Sequence, residues 1–126
     1  MQQFSGHVAI VDDDTSTRVA LARLLAMHNI DCRGYPSARA FLAALPSAMP
    51  VCLIVDVHMP EMTGLDLQRE LLKLGVHLPT IVITAVGDES VVANARSLGA
   101  EAFLYKPMSP DDLMAAINFA ARQKRN

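Results

Sequence analysis

Apolar and polar positions along the chain follow two alternating patterns. Short runs of Val, Ile and Leu, such as HVAIVD at 7–12 and VCLIV at 51–55, lack the period-two alternation of a half-exposed strand. They read as parallel strands covered on both faces. Between such runs lie segments with apolar residues at helical spacing. Leu21, Leu24, Leu25 and His28 share a face within 15–28, and Phe41 and Leu45 lie on one side of a helix that follows Pro36-Ser37. Leu67, Leu71 and Leu74 recur after Thr63, and Leu113, Ala116, Ile117 and Ala120 recur after Ser109-Pro110.

Residues with strong local preferences set the boundaries. Ser37 is placed to cap the second helix, Gly75 to end the third, and Gly99 to end a fourth that covers 88–98. Ser109, Pro110, Asp111 and Asp112 make the clearest start: a cap, a fixed φ, and two acids complementing the helix dipole. The remaining strands are a weaker one at 31–35, then 80–84 and 102–105. Five such βα units predict a doubly wound, flavodoxin-like α/β fold: a five-stranded parallel sheet of order 2-1-3-4-5 with helices on both faces.

That order puts the topological switch between strands one and three, so their carboxyl ends line one crevice. Asp12 and Asp13 follow strand one, and Asp56 ends strand three. Three ionised carboxylates held together repel one another unless a cation neutralises them. Few ligands, all oxygen, on an open crevice suit Mg²⁺ better than Ca²⁺, and the scattered histidines argue against zinc. Thr84 at the end of strand four and Lys106 at the end of strand five add a hydroxyl and an ammonium. Singly each has an ordinary explanation, Asp56 as a turn cap, Thr84 as β-propensity, Lys106 as a solvated strand end. Together they are what a transferred phosphoryl group needs, with Asp56 as nucleophile.

Composition narrows the classes. The 126 residues, 52% hydrophobic and 19% charged, describe one domain with a core of its own. A net charge of −2 gives no general attraction to nucleic acid. No apolar run approaches the roughly 20 residues of a membrane helix, and MQQFSGH lacks the features of a signal peptide; a cytoplasmic protein is expected. Cys32 and Cys52 match no metal or redox spacing and read as reduced core residues. Met59, Met62 and Met108 read as packing around the crevice, since thioethers do not suit Mg²⁺.

Asp12-Asp13 after IV, LIVDVHMPEMTG around Asp56, ITA holding Thr84, LGAEAFLYKP holding Lys106 and the helix that follows are specific pieces. Over nearly its whole length the chain resembles a CheY-like response-regulator receiver domain of two-component signal transduction. The resemblance implies a phosphorylation-dependent switch that takes a phosphoryl group, with Mg²⁺, from the phosphohistidine of a sensor histidine kinase or histidine phosphotransfer protein onto Asp56. Such a domain catalyses its own phosphorylation and dephosphorylation. By resemblance Asp13 and Asp56 bind Mg²⁺ directly, the backbone carbonyl of His58 adds a ligand, and Asp12 acts through a bound water. Thr84 and Lys106 contact the phosphoryl oxygens, and Lys106-Pro107 is a cis peptide. Phe103 is the switch aromatic, which turns inward as Thr84 moves and alters the surface of helix four, strand five and helix five.

His58 and Val86, two residues beyond Asp56 and Thr84, stand where side chains govern water's access to an acyl phosphate. Asp14 is expected to be an exposed helix cap rather than a third ligand. The implied partner is an output domain, such as a DNA-binding one in transcription regulation, or a separate protein, with a phosphorylation-dependent homodimer left open. This domain itself is expected to bind neither membrane nor nucleic acid. Residues 1–126 read as one receiver domain, and the basic tail at 122–126 either complements the last helix dipole or begins a linker to an output domain.

One rival class fits part of the pattern. Asp12-Asp13-Asp14 also resembles the DxD of haloacid-dehalogenase-like phosphatases, with Asp12 as nucleophile, Asp14 as general acid, Thr84 and Lys106 as later motifs and Asp111-Asp112 as metal acids. A flavin-binding flavodoxin fits poorly, because the carboxylates of DDDTST would repel a flavin phosphate.

Overall fold

Five parallel strands form one sheet in the order β2-β1-β3-β4-β5, the order expected from the alternation of elements. The computed structural model describes residues 6–85 and 87–124, with the side chains of 123 and 124 excepted. Val86 and, in the basic tail, residues 125 and 126 therefore lie outside the described residues. In chain order the elements are β1 (His7–Val11), α1 (Thr15–Met27), β2 (Asp31–Tyr35), α2 (Ala38–Ala44), a short 3-10 turn (Leu45–Ser47), β3 (Cys52–Asp56), α3 (Gly64–Leu74), β4 (Thr80–Ala85), α4 (Glu89–Ser97), β5 (Ala102–Lys106) and α5 (Pro110–Lys124).

The strands read as uninterrupted apolar runs because each of their two faces meets its own core. Ile10, Ile54 and Ile83 pack with Leu25 of α1 and Leu113 and Ile117 of α5. Val11, Val55 and Val82 point the other way, onto Phe41 of α2, Leu67 of α3 and Ala95 of α4. Period-two alternation is present but hidden, since inward and outward positions are both apolar. β2 pairs only with β1 and is largely exposed, which accounts for its weaker pattern. Cys52 is buried and Cys32 half-buried, both as free thiols, and burial pushes the Cys52 thiol up to about 12. Among the described residues, no helix is long and apolar enough to cross a membrane.

Local signals set the helix starts. Ser37 Oγ accepts from Ala40 N at 3.1 Å, and Ser109 Oγ accepts from Asp112 N at 3.0 Å. Thr63 and Asp66 form a reciprocal capping box, each side chain accepting from the other's backbone N–H at 3.1 Å. Gly75 closes α3 with φ 71, a left-handed position that suits glycine. Two positions of these stripes are left uncovered. His28 lies past the end of α1 as its C-cap and is exposed. Leu74 is 56% exposed; it is the last residue of α3, and a helical stripe is buried only where another layer lies beneath it. Gln68, a polar residue beside that stripe, is buried instead, its Nε2 donating to the Ala95 carbonyl at 3.1 Å.

The loop from β3 to α3 returns tightly onto the strand end. Gly64 N donates to the Val57 carbonyl at 3.0 Å, and a Cβ at this glycine would lie 2.8 Å from the Asp56 carbonyl oxygen. Backbone rather than a movable side chain blocks that space. Gly64→Ala should therefore cost about 1–3 kcal/mol in urea unfolding; an unchanged midpoint would show that the loop relaxes freely.

Candidate functional site

The sheet's carboxyl edge collects the polar groups that the sequence reading singled out. Val11 pairs with Val55 in the β1–β3 register, so the next residues, Asp12 and Asp56, leave adjacent strands side by side. Both are buried, Asp12 at 1% and Asp56 at 3% exposure. Lys106, at the end of β5, reaches past β4 to donate from Nζ to Asp56 Oδ2 at 2.7 Å. Its peptide bond to Pro107 is cis. Asp56 Oδ1 accepts from the His58 backbone N–H at 2.9 Å, so each carboxylate oxygen has one donor.

Asp12 is less well served. Its Oδ1 accepts from Asp14 N at 2.9 Å, while its buried Oδ2 has no hydrogen-bond partner among the described residues. Burial pushes the Asp12 carboxyl up to about 6, the Asp14 N–H opposing and the Asp56 charge reinforcing the rise. Lys106 is raised from its ordinary value, chiefly by its hydrogen bond to Asp56. Asp13 stands exposed at the rim, near enough for its charge to act on both Asp12 and Lys106. Arg18 secures the loop from α1 by donating from Nη1 to the Asp12 carbonyl at 2.7 Å.

An orphaned, buried carboxylate oxygen beside a second carboxylate fits a bound cation. Among the described residues, no three His, Cys, Asp or Glu side chains are already gathered as a metal cage. The ligand atoms that the carboxylates at this edge present are all oxygen, which suits Mg²⁺.

Thr84 is fully buried at the end of β4, between the strands that carry Asp56 and Lys106. Its Oγ1 donates to Asp88 Oδ2 at 3.2 Å. The same oxygen lies 3.1 Å from His58 Nε2; since a carboxylate only accepts, that nitrogen carries the proton. Hydrogen bonds from His58 and Thr84 hold the Asp88 carboxyl below the usual range. Phe103 is half-buried on β5, with the Arg96 guanidinium carbon 4.9 Å from its ring centroid, a cation–π arrangement.

Asp88 and Arg96 are the residues that sequence reasoning missed. Asp88 lies 4 positions from Thr84 and 30 from His58, and only the folded loop after β4 brings the three together. Asp14 is the cap expected of it, accepting from Ser16 N at 3.1 Å and Thr17 Oγ1 at 2.8 Å. With its oxygens so occupied, and with Asp111 and Asp112 in the first turn of α5, the phosphatase alternative finds no support. Met59 is buried, while Met62 and Met108 pack against the two cores.

Comparison with known proteins agrees with this fold. The family model for the response regulator receiver domain matches residues 8–118. Response regulator protein TmoT of Ectopseudomonas mendocina is 40% identical over 123 residues, covering 94% of this chain and 56% of that protein. Transcriptional regulatory protein FixJ of Rhizobium meliloti is 38% identical over 114 residues, 90% of this chain and 56% of FixJ. The chain thus spans about half the length of the curated relatives it matches. The crystal structure of FixJ-N superposes with a TM-score of 0.89 at 36% identity, covering 95% of this chain and 96% of that one. A response regulator receiver domain from Clostridium thermocellum does so with a TM-score of 0.87 at 27% identity, covering 96% and 98%. With the family model matching residues 8–118 and the strand order in agreement with that fold, the chain belongs to the response regulator receiver domain family.

Proposed function

We propose that Asp56 accepts a phosphoryl group from the phosphohistidine of a histidine kinase or histidine phosphotransfer protein, and that the modified carboxylate resets the surface of α4, β5 and α5. The observation that carries this reading is the buried Asp56 carboxylate, held 2.7 Å from the Lys106 ammonium and beside the half-satisfied Asp12. A carboxylate oxygen of Asp56 attacks phosphorus, the phosphorus–nitrogen bond of the donor breaks, and the imidazole leaves with the bonding pair. Lys106, already aimed at Asp56, pairs with the phosphoryl oxygens that replace the lone carboxylate charge. Thr84 supplies a hydroxyl donor from β4, and Phe103 follows its movement.

Asp13 and Asp56, with the His58 carbonyl, would hold Mg²⁺ directly, and Asp12 would hold it through water. When bound, the ion neutralises the acids and the charge developing on the phosphoryl oxygens. The His58 imidazole and the Val86 side chain govern water's approach to the acyl phosphate. The chain acts in the cytoplasm, and residues 122–126 begin a linker to an output region. Support for that region is the length of the relatives, among them Transcriptional regulatory protein TdiR of Thauera aromatica, of which the chain covers 52%; a DNA-binding output suits such a protein.

Acetyl phosphate with Mg²⁺ should label the protein once, at Asp56, by mass spectrometry. Asp56→Asn should abolish the label, and Lys106→Ala should slow labelling by roughly 10- to 1000-fold. Label on Asp12, or none with Mg²⁺ present, would overturn the assignment.

Val86→Ala should hasten loss of phosphate from labelled protein; an unchanged decay would remove Val86 from this role.

The acid pair also sets a pH dependence. Asp12 holds its proton to about 6 when folded but only to about 3.8 when unfolded, so its contribution to stability is complete below 3.8 and lost as pH rises through about 6. That interval corresponds to roughly 3 kcal/mol at most. Asp12→Asn should accordingly stabilise the Mg²⁺-free protein by about 1–3 kcal/mol near neutral pH and change little at about pH 3.5. Mg²⁺ should in turn stabilise the wild-type protein more than the variant. Urea titrations at the two pH values measure both effects, and equal stabilities at neutral pH would contradict the charge argument.

A further inference from the structure

The hydroxyl that the phosphoryl group would recruit is already engaged. Thr84 Oγ1 donates to Asp88 Oδ2 at 3.2 Å, and a hydroxyl has one proton to give. It can serve Asp88 or a phosphoryl oxygen on Asp56, but not both. Asp88 is the N-cap residue of α4, yet its side chain makes no capping hydrogen bond to that helix. Its carboxylate is turned toward the strand ends, where His58 Nε2 donates to the same oxygen at 3.1 Å and fixes its orientation. At the far end of the same helix Arg96 covers the Phe103 ring, 4.9 Å from the centroid.

α4 is lightly seated. Ala95 is its one fully buried residue, and Gln68 tethers it through a hydrogen bond to the Ala95 carbonyl. Besides these only Val91 of α4 packs, half-buried, on the core among the described residues, so polar contacts share in fixing its position, and an element with so little buried surface shifts at low cost.

We propose that Asp88 is a latch: a positioning residue that holds the Thr84 hydroxyl away from Asp56, so that α4 must release Thr84 before the phosphorylated arrangement forms. Arg96 acts in the same sense on Phe103. The proposal rests on Asp56 as phosphoacceptor and adds the element that opposes it. A contact made in one of two arrangements lowers the apparent affinity of any ligand that needs the other. Removing Asp88 should therefore tighten binding at Asp56, and only where the Thr84 hydroxyl is present.

The test is a calorimetric titration with beryllofluoride and Mg²⁺, which mimic the phosphoryl group, on wild type, Asp88→Ala, Thr84→Val and the double variant. Asp88→Ala should lower the apparent Kd by about 3- to 10-fold, and the same change on the Thr84→Val background should have no effect. Equal or weaker binding by Asp88→Ala, or tightening that persists without the hydroxyl, would overturn the latch. If Asp88→Ala fails to fold by circular dichroism, Asp88→Asn, which keeps the side chain's shape and removes its charge, takes its place with a smaller gain expected. As a readout apart from binding, the Thr84 methyl resonance of ligand-free Asp88→Ala should move toward its position in beryllofluoride-bound wild type. No movement would count against the latch. Absence of beryllofluoride binding by folded wild type would instead sink the phosphoacceptor reading, and the latch with it.

Discussion

Two buried carboxylates on neighbouring strand ends share a single ammonium. Asp12 and Asp56 leave β1 and β3 side by side, and the only cation brought into hydrogen-bond contact with either side chain among the described residues is Lys106, which favours Asp56. The imbalance falls on Asp12, whose inner oxygen is unpartnered and whose carboxyl holds its proton well above the ordinary range. Burying charge without full compensation is costly. A fold that retains such a cluster keeps a standing attraction for positive charge at one mouth, and the proposed phosphoryl transfer would draw on that attraction.

The scaffold makes this arrangement tolerable by rigidity. Both central strands are buried on two faces, and the loops that carry the acids are tied down by specific contacts. Arg18 grips the Asp12 carbonyl, the His58 N–H meets Asp56, and Gly64 lets the β3–α3 loop close onto the Asp56 backbone. Lys106 is long and flexible enough to cross the end of β4, which a shorter cation could not do from two strands away. The acids and the ammonium therefore meet at fixed places, with Thr84 between them.

The other side of the crevice is softer. β4 ends in a buried threonine whose hydroxyl turns to Asp88, and α4 is held by one fully buried alanine, the half-buried Val91 and a few polar contacts. Rigid acids on one side and a lightly held helix on the other would divide the labour of the proposed switch: one part fixes where charge is added, and the other can respond to it. A change of charge at Asp56, as proposed, would alter the balance of hydrogen bonds at Thr84, and α4 is the neighbour best able to follow.

The sequence by itself determined the strands, their order, the helix starts and the principal acids. Those features rest on local preferences and on a topology rule that few alternatives satisfy: Ser37, Thr63 and Ser109 cap helices through neighbours three residues away, and five βα units in parallel bring Asp12, Asp56, Thr84 and Lys106 to one edge. It left open whether His28 and Leu74 are covered, because periodicity reports a face but not whether a layer covers the end of a helix. Only the tertiary structure decided how the polar atoms pair. Asp88 reaches His58 and Thr84, Arg96 covers Phe103 and Gln68 crosses to Ala95. Hydrogen bonds depend on ångström distances and on which group has a proton to give, and the spacing of residues along a chain does not encode either.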